Sequence, residues 1–298
     1  MANNSWNTRG PHLAYVLSVP AKDRHPRLRR AKAATLFVVA LCLARLSAAA
    51  PGWQASLTKD PPGDFPELRP LRANYVFGWS GITAATAEVH FTKPVEDRFE
   101  LEATGRTVGF VRALWRLDVN YHATADAKTL RPSEVNQIET YRWKKLTTHL
   151  TFTSSGVRRV RTDSQASLPG SNTPKDFNFS NLYDLHAAML YLRSQPLRDH
   201  SVYRVVVYPA TSAYLATISV VGREKISVRA GTYNAIKCDL RLNRIGKNLE
   251  LQPHKKFRRA SIWVSDDGDR VLLRAEAQIF VGSVFAELRS IHFETPRP

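Results

Sequence analysis

The sequence predicts a mainly β protein: one large antiparallel curved sheet, or half-open β-barrel, with one amphipathic helix packed on or in it. Three observations indicate this class. Apolar and polar side chains alternate along many short runs, which is the period of a half-buried strand. Turn residues such as Gly81 separate the runs. A single segment, 180–195, carries the period of a helix instead.

Residues 1–50 have the order of a secretory signal peptide. A basic stretch at 24–32 precedes the apolar run 33–44, and small residues follow it. About a dozen apolar residues are too few to cross a bilayer core of roughly 30 Å as a stable anchor. We therefore predict an exported protein, periplasmic or in the outer envelope of a bacterium. An uncleaved anchor is the alternative because Arg45 closely follows the apolar run.

A proline-rich stretch, 51–70, follows the signal and is predicted to be an extended linker rather than a packed element. From there a single β-rich domain is expected over 71–293. About a dozen strands joined by short turns favour a curved sheet or barrel, because closing a sheet removes its exposed edges. The alternating runs are Tyr75–Trp79, Ala85–Phe91, Phe99–Ala103, Leu117–Tyr121, Leu146–Phe152, Ile236–Leu242 and Val271–Ile279.

The segment from Ser180 to Gln195 is predicted to be the one helix of this domain. Ser180 is its expected cap, Asp184 favours the N-terminal dipole, and Pro196 ends it. The helix either plugs the sheet or forms a lid over a cavity, and both alternatives stay open. The apolar positions expected on its sheet-facing side are Leu182, Leu185, Met189 and Leu192.

Five carboxylates lie in the C-terminal stretch 262–288. Their arrangement decides whether the sequence supports a catalytic or metal site. Ser265 to Asp269 is short, rich in Asp and Gly, and lies between two apolar runs, so we interpret it as a hairpin turn. A calcium loop requires a longer stretch that ends in a glutamate. The turn interpretation is therefore favoured over a metal site.

The two glutamates of that stretch allow a second interpretation. With a two-residue turn at Val281 and Gly282, Glu276 would face Glu287 and Arg274 would face Arg289. Diagonal arginines would then compensate the like charges in a ladder. Two carboxylates at this spacing are also the arrangement of a retaining glycosidase. The ladder is favoured because no substrate-binding motif accompanies the pair.

The chain is strongly basic, with a formal net charge of +17. Without residues 1–50 it keeps 35 basic and 25 acidic residues, a net charge of +10. Basic residues alternate with aromatics at 141–145 and cluster again at 158–161 and 254–259. For an exported protein, this charge favours anionic envelope material over nucleic acid. Solvated strand edges protected by Lys and Arg are the simpler explanation. Cys238 would be the only thiol after cleavage and is expected to be buried.

Several stretches together resemble the bacterial domain-of-unknown-function family 3108. They are LRANYVFGWSGITAATAEVHF (71–91), ATGRTVGFVRALWRLDVNYHATADAKTLRPSEV (103–135), NLYDLHAAMLYLRSQPL (181–197), VVGREKISVRAGTYNAIKC (220–238) and IWVSDDGDRVLLRAEAQIFVGSVFAEL (262–288). The resemblance covers almost all of residues 68–290. It departs at Ala84 and Ala85, where the family commonly carries a glycine. The resemblance implies an exported envelope protein and leaves the activity open.

Three functional classes are compatible with these observations. The first is a binding or carrier module for a lipid or other apolar or anionic envelope ligand; the second is a structural or assembly factor; the third is a hydrolase using Glu276 and Glu287. No Gly-x-Ser-x-Gly elbow and no paired-histidine spacing is present, so an enzyme is not expected. We expect no cofactor, no metal and no nucleic acid, contact with the membrane only through an uncleaved signal, and a monomer. The candidate ligand-binding residues are Leu182, Leu185, Met189, Leu192, Arg274, Glu276, Glu287 and Arg289.

Overall fold

A computed structural model describes residues 52–63, 68–165, 174–253, 259–279 and 282–294. The predicted signal peptide and most of the basic cluster at 254–259 lie outside these ranges. The strands are β1 (Leu71–Trp79), β2 (Ile82–Val95), β3 (Arg98–Thr107), β4 (Leu117–Asp126), β5 (Pro132–Tyr141), β6 (Lys145–Thr153), β7 (Gly156–Asp163), β8 (Lys175–Asn178), β9 (Leu182–Tyr183), β10 (Val202–Val207), β11 (Tyr214–Val228), β12 (Gly231–Ile245), β13 (Leu251–Pro253), β14 (Arg259–Ser265), β15 (Leu272–Gln278) and β16 (Ser283–Phe293).

Two α-helices interrupt the strands: α1 (Gly109–Leu114) joins β3 to β4, and α2 (Leu185–Ser194) follows β9. A short 3-10 helix spans Trp53–Ser56. Within the described residues, neither helix is long and apolar enough to cross a membrane.

All the strands belong to one sheet, ordered β8-β7-β6-β5-β4-β3-β2-β1-β16-β15-β14-β12-β11-β10-β9, with β13 paired to β12. A flat sheet of fifteen strands about 4.8 Å apart would be roughly 67 Å wide. The two edge strands are joined only by residues 179–181, which span at most about 14 Å. The sheet therefore has to curve back on itself. No pairing of β8 with β9 occurs among the described residues, so the curved sheet is unclosed, and the predicted fold class is confirmed.

Short turns connect neighbouring antiparallel strands at positions where the sequence allows the backbone conformation that the turn requires. Ser80 and Gly81 form the two-residue connection between β1 and β2, with φ angles of 47° and 86°. Positive φ at both positions is typical of the turn whose twist matches that of the flanking strands. The predicted turn at Gly81 is thus confirmed, and it pairs Trp79 directly with Ile82.

The face of the sheet that carries the core is the inner face, because side chains from opposite ends of the sheet meet there. Leu71, Phe91 and Phe99 from the N-terminal strands share one buried cluster with Ile218 and Ile262 from the C-terminal half. Helix α2 lies in this cluster through Ala187, Leu190, Tyr191 and Leu192. The helix therefore fills part of the space that the curved sheet surrounds.

Helix α2 is shorter than predicted, and its buried side is different. It begins at Leu185, and Asp184 rather than Ser180 is the cap, accepting a hydrogen bond from the Ala187 amide at 2.7 Å. Leu182 lies before the helix, in β9. Leu185 is 58% exposed, and Met189 is only partly buried. The buried residues of the helix are His186, Ala187, Leu190, Tyr191, Leu192 and Ser194. Of the four predicted positions, Leu192 is thus buried on the helix and Leu182 is buried in the strand.

The segment 52–63 is packed against the domain, which corrects the prediction of an unpacked linker. The Trp53 ring stacks on Phe179 at 5.4 Å, and its Nε1 donates to the Leu249 carbonyl at 2.7 Å. Further along, the Tyr191 hydroxyl donates to the Asp60 carbonyl at 2.9 Å. Prolines prevent this segment from joining the sheet as a strand, but they do not prevent side chains and carbonyls from contacting it.

Candidate functional site

Exposure of the inner face rises steadily along the strands, away from helix α2. On β1, Leu71 and Ala73 are buried, Tyr75 is partly buried, and Phe77 and Trp79 are 39% and 45% exposed. Strand β2 shows the same direction, from the buried Phe91 to the exposed Ile82, whereas on β3 the far end closes again at the buried Thr107. One half of the inner face is thus covered by the helix, and the other half is not.

The uncovered half is lined by small apolar side chains from strands on both sides of β1. Strand pairing places Ala87 opposite Tyr75 and Gly105 opposite Ala87, so all three face inward. On the other side of β1, Ala275 pairs with Ala286. We call this region the inner apolar surface; its residues, all partly exposed, are Ala85, Ala87, Ala103, Gly105, Val119, Ala260, Ala275, Ala277, Val284 and Ala286. These side chains are small, and each keeps part of its surface accessible to solvent.

A buried carboxylate marks the border between the two halves. The Tyr121 hydroxyl, from the inner face of β4, donates to Asp184 Oδ2 at 2.8 Å. Asp184 is fully buried at the start of α2. Burial raises the pKa of Asp184 to about 6, although its hydrogen bonds oppose that shift. The contact fixes the start of the helix to the wall of the sheet.

Two further titratable side chains of α2 are shielded from solvent: His186 is buried, and Arg193 is partly buried. His186 contacts Phe91, and burial lowers the pKa of its imidazole to about 3. Arg193 donates to the Asp269 carbonyl at 2.6 Å and 3.1 Å. Desolvation lowers the pKa of Arg193 to about 10, so the guanidinium stays charged at neutral pH. The Arg193 hydrogen bonds attach the helix to the β14–β15 turn.

That turn confirms the hairpin interpretation of Ser265 to Asp269. Asp267 Oδ1 accepts hydrogen bonds from the amides of Asp269 and Arg270, both at 3.0 Å. Its neighbour Asp266 pairs with Arg223 at 3.1 Å. No group of three or more His, Cys, Asp or Glu side chains in the described ranges is placed to hold a metal ion.

The predicted pairing of Glu276 with Glu287 is wrong. Strand β16 is displaced by two residues relative to that register, so Arg274 faces Glu287 and Glu276 faces Phe285. Arg274 contacts Glu276 at 3.0 Å and Glu287 at 3.8 Å. A connection longer than two residues allows this register, which places opposite charges face to face instead of like charges.

These charged residues lie on the face opposite the inner apolar surface. Arg274 and Glu276 alternate with the inward-facing Ala275. Arg289 and Arg229 line an open groove of about 840 Å³ with outer-face threonines and asparagines, and the lining also includes Tyr75, Ala87, Gly105 and Val119 from the intervening positions of the same strands. The eight candidate residues therefore do not form one site: four belong to the region of α2 and four to the outer face.

The buried thiol of Cys238 agrees with its prediction. It is fully buried on the inner face, and burial raises its pKa to about 11. Such a thiol is a packing group rather than a nucleophile.

Comparison with known proteins identifies the family. The model of the family described as "Protein of unknown function (DUF3108)" matches residues 74–289, which is more than half of the chain. The chain belongs to the DUF3108 family. The resemblance in the sequence is thus confirmed. None of the curated proteins matches this DUF3108 member.

Solved structures resemble the fold at low sequence identity. A beta-barrel-like protein of the DUF1849 family from Brucella abortus aligns with a TM-score of 0.51 and 9% identity, covering 77% of this chain and 99% of that one. A candidate lipoprotein from Parabacteroides distasonis aligns with a TM-score of 0.33 and 11% identity, covering 78% and 100%. A candidate exported protein with a YmcC-like fold from Bacteroides fragilis aligns with a TM-score of 0.30 and 13% identity, covering 76% and 98%. The first of these likenesses supports a barrel-like fold.

Proposed function

We propose that this protein is an exported module of the cell envelope that binds an apolar ligand of the lipid class on its inner apolar surface. The observation that carries the proposal is the uncovered half of the inner face. In a domain whose other half is closed by a buried helix, that half keeps small, partly exposed side chains on both sides of β1. Extended apolar surface accessible to solvent is unfavourable unless something binds to it.

The chemistry of this surface fits a hydrocarbon rather than a polar substrate. Its side chains are alanine, glycine and valine, and Phe77 and Trp79 stand at its outer end. Each methylene group removed from water by such a surface contributes about 0.8 kcal/mol, so one alkyl chain would supply most of a useful affinity. Export is supported by the basic, apolar and small-residue order of residues 24–50.

The burial of α2 determines where the ligand would bind. Leu190 and Tyr191 are almost fully buried among sheet residues, so the helix closes its own half as a plug. We place the ligand beside the helix, against the inner apolar surface, rather than beneath the helix. Tyr121 and Asp184 would then form the end of the ligand site nearest the helix.

A hydrolase using the two glutamates receives no support from their surroundings. Both carboxylates contact Arg274, and Glu287 also accepts a hydrogen bond from the Arg229 amide at 2.9 Å. They belong to a charge cluster on the outer face, away from the inner apolar surface.

The proposal is tested by native mass spectrometry of the protein purified from its own cell envelope, followed by removal of lipid and titration with a fluorescent fatty acid. We expect a copurifying apolar molecule, and saturable uptake of the probe after its removal. If no molecule copurifies and the stripped protein takes up no probe, the carrier function is refuted. A structural role would then be the better explanation.

A further inference from the structure

Large apolar side chains are exposed together at one end of the sheet. In an antiparallel meander, alternate connections lie at the same end, so the β1–β2 turn, the β3–β4 connection with α1 and the β5–β6 turn are neighbours. Soluble proteins seldom expose so many large apolar groups in one place without a partner. The exposed residues are Trp79 at 45%, Ile82 at 62%, Phe110 at 77%, Leu114 at 71%, Trp115 at 54% and Trp143 at 76%. We call them the aromatic rim.

Cations lie between these aromatic and aliphatic groups. Arg142, Lys144 and Lys145 flank Trp143 in the β5–β6 turn, and none of them forms an ion pair with a carboxylate in the described part of the chain. Three acidic residues lie nearby: Asp118 pairs with Arg112 at 2.8 Å and Arg116 at 3.4 Å, Glu139 pairs with Arg161 at 3.5 Å, and Asp163 lies opposite Leu146. The rim is therefore apolar at its tips and positively charged around them.

The β5–β6 turn is held against α1 rather than projecting freely. Arg142 Nη2 donates to the Ala113 carbonyl at 2.7 Å, and the Trp115 and Tyr141 rings lie 6.5 Å apart. Between them is an open groove of about 460 Å³, lined by Leu114, Trp115, Arg116, Tyr141, Arg142, Trp143, Lys144 and Gln165. A tryptophan and several cations thus share one fixed surface.

We propose that the aromatic rim docks the protein on the surface of a bilayer that contains anionic phospholipid. Tryptophan favours the interface between headgroups and hydrocarbon, where its ring is partly apolar and its N–H meets water. Lysine and arginine near such a surface are attracted by anionic headgroups. A protein partner would match the apolar tips but would not by itself account for cations surrounding them.

The position of the rim connects it with the inner apolar surface. Trp79 belongs to both, since it pairs with Ile82 in the rim and with Val284 on the inner face. A lipid leaving the bilayer would reach the inner surface at its exposed end. The docking surface goes beyond the proposed ligand binding and does not depend on it, because the rim residues carry it alone.

Binding of the full chain to vesicles tests the proposal. The vesicles are phosphatidylcholine, with or without phosphatidylglycerol, and binding is measured by flotation. The charge variant is Arg142→Gln with Lys144→Gln and Lys145→Gln. Its matched control removes three exposed cations elsewhere: Arg158→Gln, Lys225→Gln and Arg241→Gln. Loss of three cations at the membrane surface is expected to weaken binding to anionic vesicles about 100-fold, and the control should stay clearly closer to the wild type.

The apolar part of the rim has its own variant and a local readout. Trp115→Ser with Trp143→Ser is compared with Leu185→Ser and Val221→Ser, which are exposed residues outside the rim. Brominated phospholipid quenches only tryptophan that enters the bilayer, so wild-type fluorescence should fall and the rim variant should lose that quenching. The control variants should share the urea midpoint of the wild type because their changed residues are exposed. The charge variant loses the Arg142–Ala113 hydrogen bond and the rim variant loses the Trp115–Tyr141 contact, so urea unfolding of both checks that they are folded before binding is compared.

Two results would overturn the proposal: rim and control variants that bind anionic vesicles equally, or wild-type tryptophan fluorescence that brominated lipid leaves unchanged. Fatty-acid uptake in solution is measured separately on the same variants. If uptake is retained while vesicle binding fails, membrane docking is wrong and ligand binding stands; the reverse result would refute ligand binding alone.

Discussion

At the scale of single residues, the start of helix α2 has the most unusual chemistry in the described structure. A carboxyl group is buried at Asp184 between the Tyr121 hydroxyl and the Ala187 amide. The imidazole of His186 lies two residues later, also buried. Nothing in the sequence separated Asp184 from an ordinary first-turn acid, because its burial depends on β4, which is remote in the chain.

The two groups affect stability in opposite directions between pH 4 and 6. The pKa of Asp184 is raised to about 6 in the folded state, so its contribution is fully present below the unfolded value of about 4 and is lost as the pH rises through 6. The pKa of His186 is lowered to about 3, so its contribution is present above about 6.5 and is lost as the pH falls through 3. In the wild type the two opposite slopes of the free energy of unfolding against pH largely cancel.

Asp184→Asn should remove the pH dependence that Asp184 contributes and leave the pH dependence that His186 contributes. Asparagine keeps the helix cap but does not titrate, so the free energy of unfolding should rise with pH more steeply in the variant than in the wild type. Between pH 4 and 6 the difference between the two proteins should change by about 2 kcal/mol. Urea unfolding at several pH values measures it. Parallel pH profiles would show that Asp184 does not titrate in this range.

At the scale of elements, the sequence predicted which segments are strands and which is the main helix, but not which side of that helix is buried. Alternation identified the sheet, because side chains on a strand have a period of two whatever they contact. The helix offered apolar residues on more than one side: Leu185 and Met189, but also Leu190 and Tyr191. Which side is buried depends on where β9 ends and on the cap at Asp184, and both are set by tertiary contacts. Helix α1 was missed because it is short.

The predicted register of the β15–β16 hairpin was wrong because the sequence pattern fits more than one register. The predicted and observed registers differ by two residues, so every side chain keeps its face of the sheet and periodicity could not choose between them. The charge pairing of Arg274 with Glu287 could have indicated the observed register, since opposite charges favour direct cross-strand positions.

Truncation of the helix should distinguish its buried side from its exposed side. Leu190 is 1% exposed and Leu185 is 58% exposed, so Leu190→Ala should lower the free energy of unfolding by about 2 to 5 kcal/mol through the cavity it leaves. Leu185→Ala should change it by no more than about 0.5 kcal/mol. Denaturant unfolding of both variants measures the contrast. Equal losses would mean that α2 is rotated relative to the structure described.

At the scale of the whole molecule, the curvature of the sheet creates the candidate site. No single strand specifies it, since the inner apolar surface is assembled from β2–β4 on one side of β1 and β14–β16 on the other. The sequence showed the alanines but not that strands from the two ends of the domain lie side by side. That arrangement follows from the pairing of β1 with β16. The basic and aromatic residues of the turn at 141–145 are evident in the sequence. The proximity of this turn to α1 is a tertiary contact that the sequence does not predict.

Ligand binding at the inner apolar surface requires unfilled space beside its small side chains. Phenylalanine introduced there should fill the space without strain, whereas the same change in the filled half should strain the core. Ala87→Phe and Ala277→Phe lie in the inner apolar surface, and Ala125→Phe, at a fully buried inner position, is the matched control.

The most direct measurement is the titration of these three variants with a fluorescent fatty acid, together with their urea unfolding. Ala87→Phe and Ala277→Phe should keep the stability of the wild type within about 1 kcal/mol while losing uptake of the probe. Ala125→Phe should lose about 1 to 3 kcal/mol or more through overpacking. If the first two variants are destabilised as much as the control, or if they bind the probe as the wild type does, the inner apolar surface is not a ligand site.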